Sequence, residues 1–221
     1  MARGLFVTGT DTGVGKTLIA AGLMHALGAR GLRVAGMKPV ASGSTRGPEG
    51  LRNEDALALR SAASQTWPYD IVNPYTFEPP IAPHIAAREA GVTIDPAVIE
   101  RSFERLSAAA DVVVVEGAGG FLVPLGPGLS FADIPARLGL EVVLVVGLRL
   151  GCLNHAFLTA ESVSARRLRL TGWVGNQVDP AYERLEENLA ALTTGLPAPC
   201  LGVIPRLDPA DPRAAAARLR I

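Results

Sequence analysis

Short, β-branched apolar runs recur along this chain and constrain its fold more than any other feature. They lie at residues 5–7, 34–37, 112–115, 142–146, 173–174 and 201–204, and several are continuous, without polar alternation. A strand with one wetted face alternates apolar and polar residues. An unbroken run suits a strand covered on both faces, as in parallel sheets. Helix-length segments separate the runs, at 17–29, 55–63, 96–109, 155–166 and 181–192. This alternation predicts an α/β fold with a doubly wound, mostly parallel sheet, helices on both faces and right-handed crossovers. With 221 residues, 48% of them hydrophobic, the chain can bury one sizeable core, so a single domain over residues 1–221 is expected.

The first run feeds Gly9-Thr10-Asp11-Thr12-Gly13-Val14-Gly15-Lys16-Thr17, and Leu18-Ile19-Ala20-Ala21-Gly22-Leu23 follows with helical apolar spacing. Strand, glycine-rich turn, lysine–threonine and helix is the layout of a phosphate-binding loop, so the expected fold is P-loop NTPase-like. Gly13 and Gly15 let the backbone from Gly13 through Val14 to Leu18 close on an anion, and the helix N-terminus adds the positive end of its dipole. Lys16 would neutralise β/γ-phosphate charge, and the Thr17 hydroxyl would sit on Mg²⁺. An ordinary glycine-rich turn is the plain alternative, but it leaves the lysine–threonine pair unexplained. The usual first glycine of such loops falls at Thr10, with Gly9 one residue early, which points to a subfamily of these loops.

In open parallel sheets, ligands bind beyond the carboxyl ends of the strands. Polar residues follow the apolar runs at that edge: Lys38 after Met37, Glu116 after Val115, Asn176 and Gln177 after Val174, and Pro205-Arg206-Leu207 after Ile204. These distant segments are expected to converge. Glu116 closes a run of four valines and precedes Gly117-Ala118-Gly119-Gly120. That is a Walker-B-like pattern, placing a carboxylate near the metal of a bound nucleotide, with glycines that let a ligand approach the backbone. Alternatively, Glu116 is a polar residue where a buried strand reaches water. Lys38 is either a solvated charge or a second phosphate-directed cation. Ser42, before Gly43-Ser44, either donates to a substrate or forms a turn. Asp55 stands at a helix start, where an acid pairs with the dipole or ligates Mg²⁺, and both readings remain open.

Lysine plus arginine equal aspartate plus glutamate at 21 each, so no global field favours nucleic acid or an anionic membrane. The longest apolar run, 142–148, is far short of the ~20 residues that span a bilayer. Cys152 and Cys200 lack CxxC spacing and are too few for a disulfide framework. With Arg3 so close to the phosphate loop, no signal peptide is expected, and a reduced, cytoplasmic location is the simplest inference. His25, His84 and His155 have no metal-ligand spacing. Residues 65–83, rich in proline and aromatics, are expected to form an ordered loop or lid rather than a strand. The tail at 209–221 is expected to fray.

Several motifs in order resemble the dethiobiotin synthetase family. They are the phosphate loop, Lys38-Pro39-Val40-Ala41-Ser42-Gly43, Asn53-Glu54-Asp55-Ala56, Asn73-Pro74-Tyr75, Pro83-His84, Val115-Glu116-Gly117-Ala118-Gly119-Gly120, Gly151-Cys152-Leu153-Asn154-His155 and Gly172-Trp173-Val174-Gly175-Asn176. The resemblance implies MgATP-dependent ring closure of 7,8-diaminononanoate with CO₂ to dethiobiotin, ADP and phosphate, in biotin synthesis. One amine captures CO₂ as a carbamate, phosphorylation gives a carbamic-phosphoric mixed anhydride, and the second amine closes the cyclic urea. By the same resemblance Lys16 and Lys38 are catalytic, and Thr17, Asp55 and Glu116 hold Mg²⁺. Thr12 and Ser42 meet the carbamate or diamine. The phosphate loop and the 116–119 segment bind nucleotide, and Asn176, Gln177, Pro205, Arg206 and Leu207 form the adenine-reading surface. Gly151, Cys152, Leu153 and Asn154 bind the substrate carboxylate near the interface of a homodimer. Position 13 is glutamate in some members and glycine here, so no side-chain role is implied there. The segment after Leu207 matches weakly, and His84 and His155 are equally well explained by packing or capping.

The main rival is a partner-regulated P-loop ATPase of the chromosome- and cell-division-positioning type. Such switches carry an extra lysine early in the loop, where this chain has Asp11, and commonly a basic or amphipathic surface for DNA or membrane. Related amide-forming enzymes of corrin synthesis attach a glutamine-hydrolysing domain, for which 221 residues leave no room. A small-molecule kinase should carry a lid with paired arginines, whereas Arg166-Arg167 reads as a solvated helix end.

Overall fold

The computed structural model describes residues 2–221. At its centre lies a six-stranded sheet whose neighbouring strands all run parallel. Its strands are β1 (Arg3–Gly9), β2 (Val34–Met37), β3 (Val112–Gly120), β4 (Glu141–Leu148), β5 (Leu170–Gln177) and β6 (Cys200–Ile204). Their order is β6-β5-β4-β1-β3-β2. Each apolar run of the sequence lies within one of them. The valines of β3 and β4 are buried because helices cover both faces, which is why neither strand alternates.

Helices follow the predicted segments closely at α1 (Lys16–Gly28), α2 (Glu54–Ala62), α5 (Pro96–Ser107) and α7 (Cys152–Ala165). Helix α8 (Leu185–Gly195) starts later than expected, because Arg184 before it takes a left-handed φ of 56° and helical geometry begins beyond it. Besides the helix in the tail described below, three short helices went unanticipated: α3 (Tyr69–Val72), α4 (Pro83–Glu89) and α6 (Asp133–Leu138).

Two expectations are corrected. Residues 65–83 do contain a short strand: Tyr75–Thr76 pairs in parallel with Val40–Ala41. Pro74 precedes the pair and Pro79 follows it, so the N–H groups of Tyr75 and Phe77 stay available to the Pro39 and Ala41 carbonyls. The tail does not hang free. Helix α9 (Pro212–Ala216) is capped by Asp211 and packs Ala215 against Gly22 of α1, and the Arg220 N–H donates to the Leu201 carbonyl at 2.7 Å.

The chain winds first to one side of β1, through β2 and β3, and then from β4 to the other. A crevice therefore opens at the carboxyl end of β1. Register decides what faces it. Val7 of β1 pairs with Glu116 of β3, and Met37 of β2 pairs with Val115. Lys38 and Glu116, each one residue past that Met37–Val115 pair, emerge side by side.

Candidate active site

The loop between β1 and α1 is shaped for an anion. Gly13 and Gly15 adopt left-handed φ values of 73° and 85°. A Cβ at Gly15 would come within 2.2 Å of Asn176 Nδ2, so only glycine fits there. The Asn176 amide donates to the Val14 carbonyl at 2.9 Å and braces the loop from the end of β5. Asp11 accepts the Thr12 N–H at 2.7 Å and pairs with Arg149, which follows β4. Lys16 Nζ donates to the Asp11 carbonyl at 2.8 Å. Burial, with the nearby Lys38 ammonium, brings the Lys16 ammonium down from 10.5 to a pKa of about 8.

Lys38 is the buried centre of a charged cluster. Its side chain is 2% exposed, and Nζ donates to Glu116 Oε1 at 2.6 Å, Asp55 Oδ2 at 2.8 Å and the Gly117 carbonyl at 3.0 Å. The three donors of an ammonium are thereby all used. Burial opposes the Lys38 charge, but Glu116 and Asp55 outweigh it and hold its pKa above the usual lysine value. Burial likewise works against the Asp55 carboxylate, and Lys38 overcomes it, holding Asp55 below the ordinary range. Glu116 is pushed up by burial, against the pull of Lys38.

Asp55 is free for this role because it does not cap its helix. Asn53 is the cap, its side chain accepting the Ala56 N–H at 3.3 Å. The Thr17 hydroxyl donates to Glu116 Oε1 at 2.9 Å, while Glu116 Oε2 is buried with no partner. A buried carboxylate oxygen without a donor is costly, and its presence beside Thr17 and Asp55 fits a cation held there. Among the described residues no group of three or more His, Cys, Asp or Glu is placed to hold a metal. Two carboxylates and a hydroxyl suit a hard ion such as Mg²⁺, which keeps waters and takes phosphate oxygens.

These residues line a cleft of about 730 Å³. Of the residues singled out in the sequence, Thr12, Gly13, Gly15, Lys16 and Thr17 line it from the loop, Lys38, Ser42 and Asp55 from one side, and Glu116, Ala118 and Gly119 from the floor. Val14 is buried beneath the loop, and Gly117 turns its carbonyl to Lys38. Leu18, Gln177, Pro205, Arg206 and Leu207 lie outside the cleft lining, Arg206 donating to the Val178 carbonyl at 3.1 Å. Gly151, Cys152, Leu153 and Asn154 also lie outside it. Gly151 is left-handed at the start of α7, the Cys152 thiol lies 3.5 Å from the Tyr182 hydroxyl, and the preceding Leu150 is 91% exposed.

Sequence reasoning missed the apolar wall, formed by Ala41, Pro80, Ile81, Ala82, Pro83 and Val123. Its signal was present in the proline-rich stretch, which is pinned to the segment after Lys38 by the Gly43 N–H donating to the Pro79 carbonyl. The Asp11–Arg149 pair was missed as well, since nothing in the sequence sets those two residues side by side.

An AAA domain family model matches residues 3–214. Among solved structures, the septum site-determining protein MinD of Pyrococcus horikoshii, complexed with Mg-ADP, superposes with a TM-score of 0.59 at 19% identity, covering 98% of this chain and 86% of that one. The MinD cell division protein of Aquifex aeolicus gives 0.59 at 17%, covering 99% and 88%. At that identity the likeness establishes the shared P-loop fold. Sequence relatives are far nearer. A Pseudomonas paraeruginosa protein named ATP-dependent dethiobiotin synthetase is 57% identical over 97% of this chain and 94% of its own length. An Aromatoleum aromaticum protein of the same name is 52% identical over 99% and 97%. A nucleotide-type cleft on this fold, and identity of that depth along nearly the whole length, make the chain a member of the ATP-dependent dethiobiotin synthetase family.

Proposed function

We propose that this protein, acting as one domain, closes 7,8-diaminononanoate and CO₂ into dethiobiotin at the expense of ATP, with Mg²⁺. The observation that carries the reading is the meeting of Lys16, Lys38, Thr17, Asp55 and Glu116 in one cleft with Thr12 and Ser42. Its other wall is apolar and suits the methylene chain of a diamine. A volume of about 730 Å³ is within the range of small-molecule sites.

One substrate amine takes up CO₂ as a carbamate, held by Thr12 and Ser42. A carbamate oxygen then attacks the γ-phosphorus, giving the carbamic-phosphoric mixed anhydride and ADP. The second amine attacks the activated carbonyl, loses its proton and expels phosphate. Lys16 and Lys38 supply positive charge where the transferring phosphoryl group gains negative charge, so they act on the transition state more than on the ground state. Thr17, Asp55 and Glu116 would hold the metal, which supplies charge neutralisation and orientation of the phosphates. Lys38 holds both carboxylates in place through its hydrogen bonds and favours the ionised form of Asp55. The ends of β5 and β6, from Asn176 and Gln177 to Pro205, Arg206 and Leu207, serve the adenine.

The segment Gly151, Cys152, Leu153 and Asn154 binds the substrate carboxylate at the N-terminus of α7, in a homodimer where this corner lies near the partner's cleft. Its absence from the cleft of its own chain, and the bare Leu150 beside it, support that arrangement. A cytoplasmic location, with no nucleic-acid or membrane partner, suits this chemistry; among the described residues no helix is long and apolar enough to cross a membrane. The regulated-ATPase reading is disfavoured by Asp11, which occupies the extra lysine's place and is paired to Arg149. Phosphate release from MgATP should require both the diamine and bicarbonate. Release stimulated instead by DNA or lipid, and indifferent to diamine, would refute the proposal.

A further inference from the structure

Tyr69, on α3, does not line the cleft, yet its hydroxyl joins two segments that do. It accepts the Asn53 backbone N–H at 2.7 Å and donates to Asn73 Oδ1 at 2.9 Å, so the single phenolic hydrogen and a lone pair are both committed. On one side, Asn53 caps α2 two residues before Asp55, and its Nδ2 donates to the Ser42 carbonyl at 3.4 Å. On the other, Asn73 Nδ2 donates to the Lys38 carbonyl at 2.6 Å and the Tyr75 carbonyl at 3.0 Å. The Lys38 N–H itself donates to the Val72 carbonyl of α3 at 2.8 Å. Asn53, Tyr69 and Asn73 are all buried, and the Arg52 guanidinium lies 4.3 Å over the tyrosine ring.

We propose that Tyr69 and Asn73 are positioning residues, and that the Asn53–Tyr69–Asn73 bridge sets the Asp55 carboxylate against the Lys38 ammonium and so tunes the site for Mg²⁺. The inference rests on the assignment of Asp55 to the metal and Lys38 to the phosphates. The ring alone would satisfy packing and the Arg52 contact. The hydroxyl is needed only to hold the start of α2 to the segment that carries Lys38. Buried hydrogen-bonded links of this kind fix the groups that touch a metal, and their loss commonly lowers metal affinity without removing a ligand.

Tyr69→Phe keeps the ring and leaves the Asn53 N–H and Asn73 Oδ1 without partners. In the full-length enzyme, the Mg²⁺ concentration that half-saturates binding of a non-hydrolysable ATP analogue should rise about tenfold, and kcat should fall by a similar factor. The KM for diamine should move less than the Mg²⁺ midpoint, since the cleft's apolar wall and Thr12 are untouched and Ser42 is reached only through its long 3.4 Å contact with Asn53. In an Asp55→Asn background the effect on the Mg²⁺ midpoint should vanish, because both changes act through one group. A Tyr69→Phe enzyme that melts earlier but keeps the wild-type midpoint and kcat overturns the proposal, as does an undiminished effect in the Asp55→Asn background. If Tyr69→Phe does not fold, Asn73→Ser cuts the same bridge from the Lys38 side and carries the same expected and overturning results. The binding measurement needs no diamine, so it stands even if the dethiobiotin reading fails. A wild-type enzyme that makes dethiobiotin, beside a Tyr69→Phe midpoint that does not move, defeats this inference alone.

Discussion

The charged cluster around Lys38 and the corner at Leu150, Gly151 and Cys152 lie at the carboxyl ends of neighbouring parts of one sheet, yet they are built in opposite ways. The cluster is built around a buried, fully engaged ammonium: Lys38 is 2% exposed, and its three donors go to Glu116, Asp55 and Gly117. The corner is open, with Leu150 91% exposed and a left-handed glycine leading into a helix whose first turn does not line the cleft around Lys38. The first is complete within one chain and can be judged from it. Under the proposed function, the second becomes a site when the partner subunit covers it. Phosphoryl chemistry needs preorganised charge, which one chain can fix in place; the proposed carboxylate recognition at the corner would instead depend on assembly.

The comparison is broken most severely by Lys38→Ala. Turnover should fall by about 10²–10³-fold, the scale seen when a donor aimed at developing charge is removed. Glu116 then lacks its counter-charge in a buried site, so about 3–5 kcal/mol of stability should go with it unless the carboxyl takes up a proton. Kinetics and a melting curve read both, and near-normal kcat contradicts the catalytic role. Glu116→Gln keeps the shape and removes one carboxylate. Half-saturation by Mg²⁺ should move upward by about 10–100-fold, and an unmoved metal titration excludes Glu116 as a ligand.

On the corner's side, Leu150→Asp should weaken self-association by about tenfold or more, the worth of one exposed leucine buried at an interface. KM for diamine should rise while nucleotide affinity holds. Light scattering with paired binding curves checks this, and an active, strictly monomeric wild-type enzyme refutes the shared site.

The smallest effect is a pH dependence. Lys16 has its pKa near 8 in the free protein, and bound phosphates favour the ammonium, so its pKa rises on binding. Nucleotide affinity should therefore be flat below pH 8 and fall by up to about tenfold per unit above it, until the bound-state pKa is passed. Calorimetry in two buffers should show proton uptake above pH 8. Affinity that strengthens with rising pH reverses the sign and removes Lys16 from the phosphates.

The same contrast explains how much could be read from the sequence. Six apolar runs gave the sheet because strands buried on both faces leave an unmistakable composition. The phosphate loop announced itself because glycines, Lys16 and Thr17 must be contiguous to work. Lys38, Asp55 and Glu116 were found as candidates, but whether each was a surface charge, a cap or a site group depended on register and capping. Val7 facing Glu116, and Asn53 rather than Asp55 capping α2, are facts of tertiary structure. The Tyr69 bridge and the Asp11–Arg149 pair left no local signature, since their partners are distant in sequence or set by a turn. Helix α9 carries local signals, an Asp211 cap, Pro212 and alanines, but five residues are too short to be helical alone, and its fit to α1 is tertiary.

The central claim is that one cleft activates a carbamate oxygen by phosphorylation and then releases that oxygen with the phosphate. With ¹⁸O-labelled bicarbonate, diamine, MgATP and enzyme, mass spectrometry of the released phosphate tests it directly. One bicarbonate-derived oxygen should appear in each phosphate formed alongside dethiobiotin. Phosphate free of label, from an enzyme that is turning over, would contradict the account.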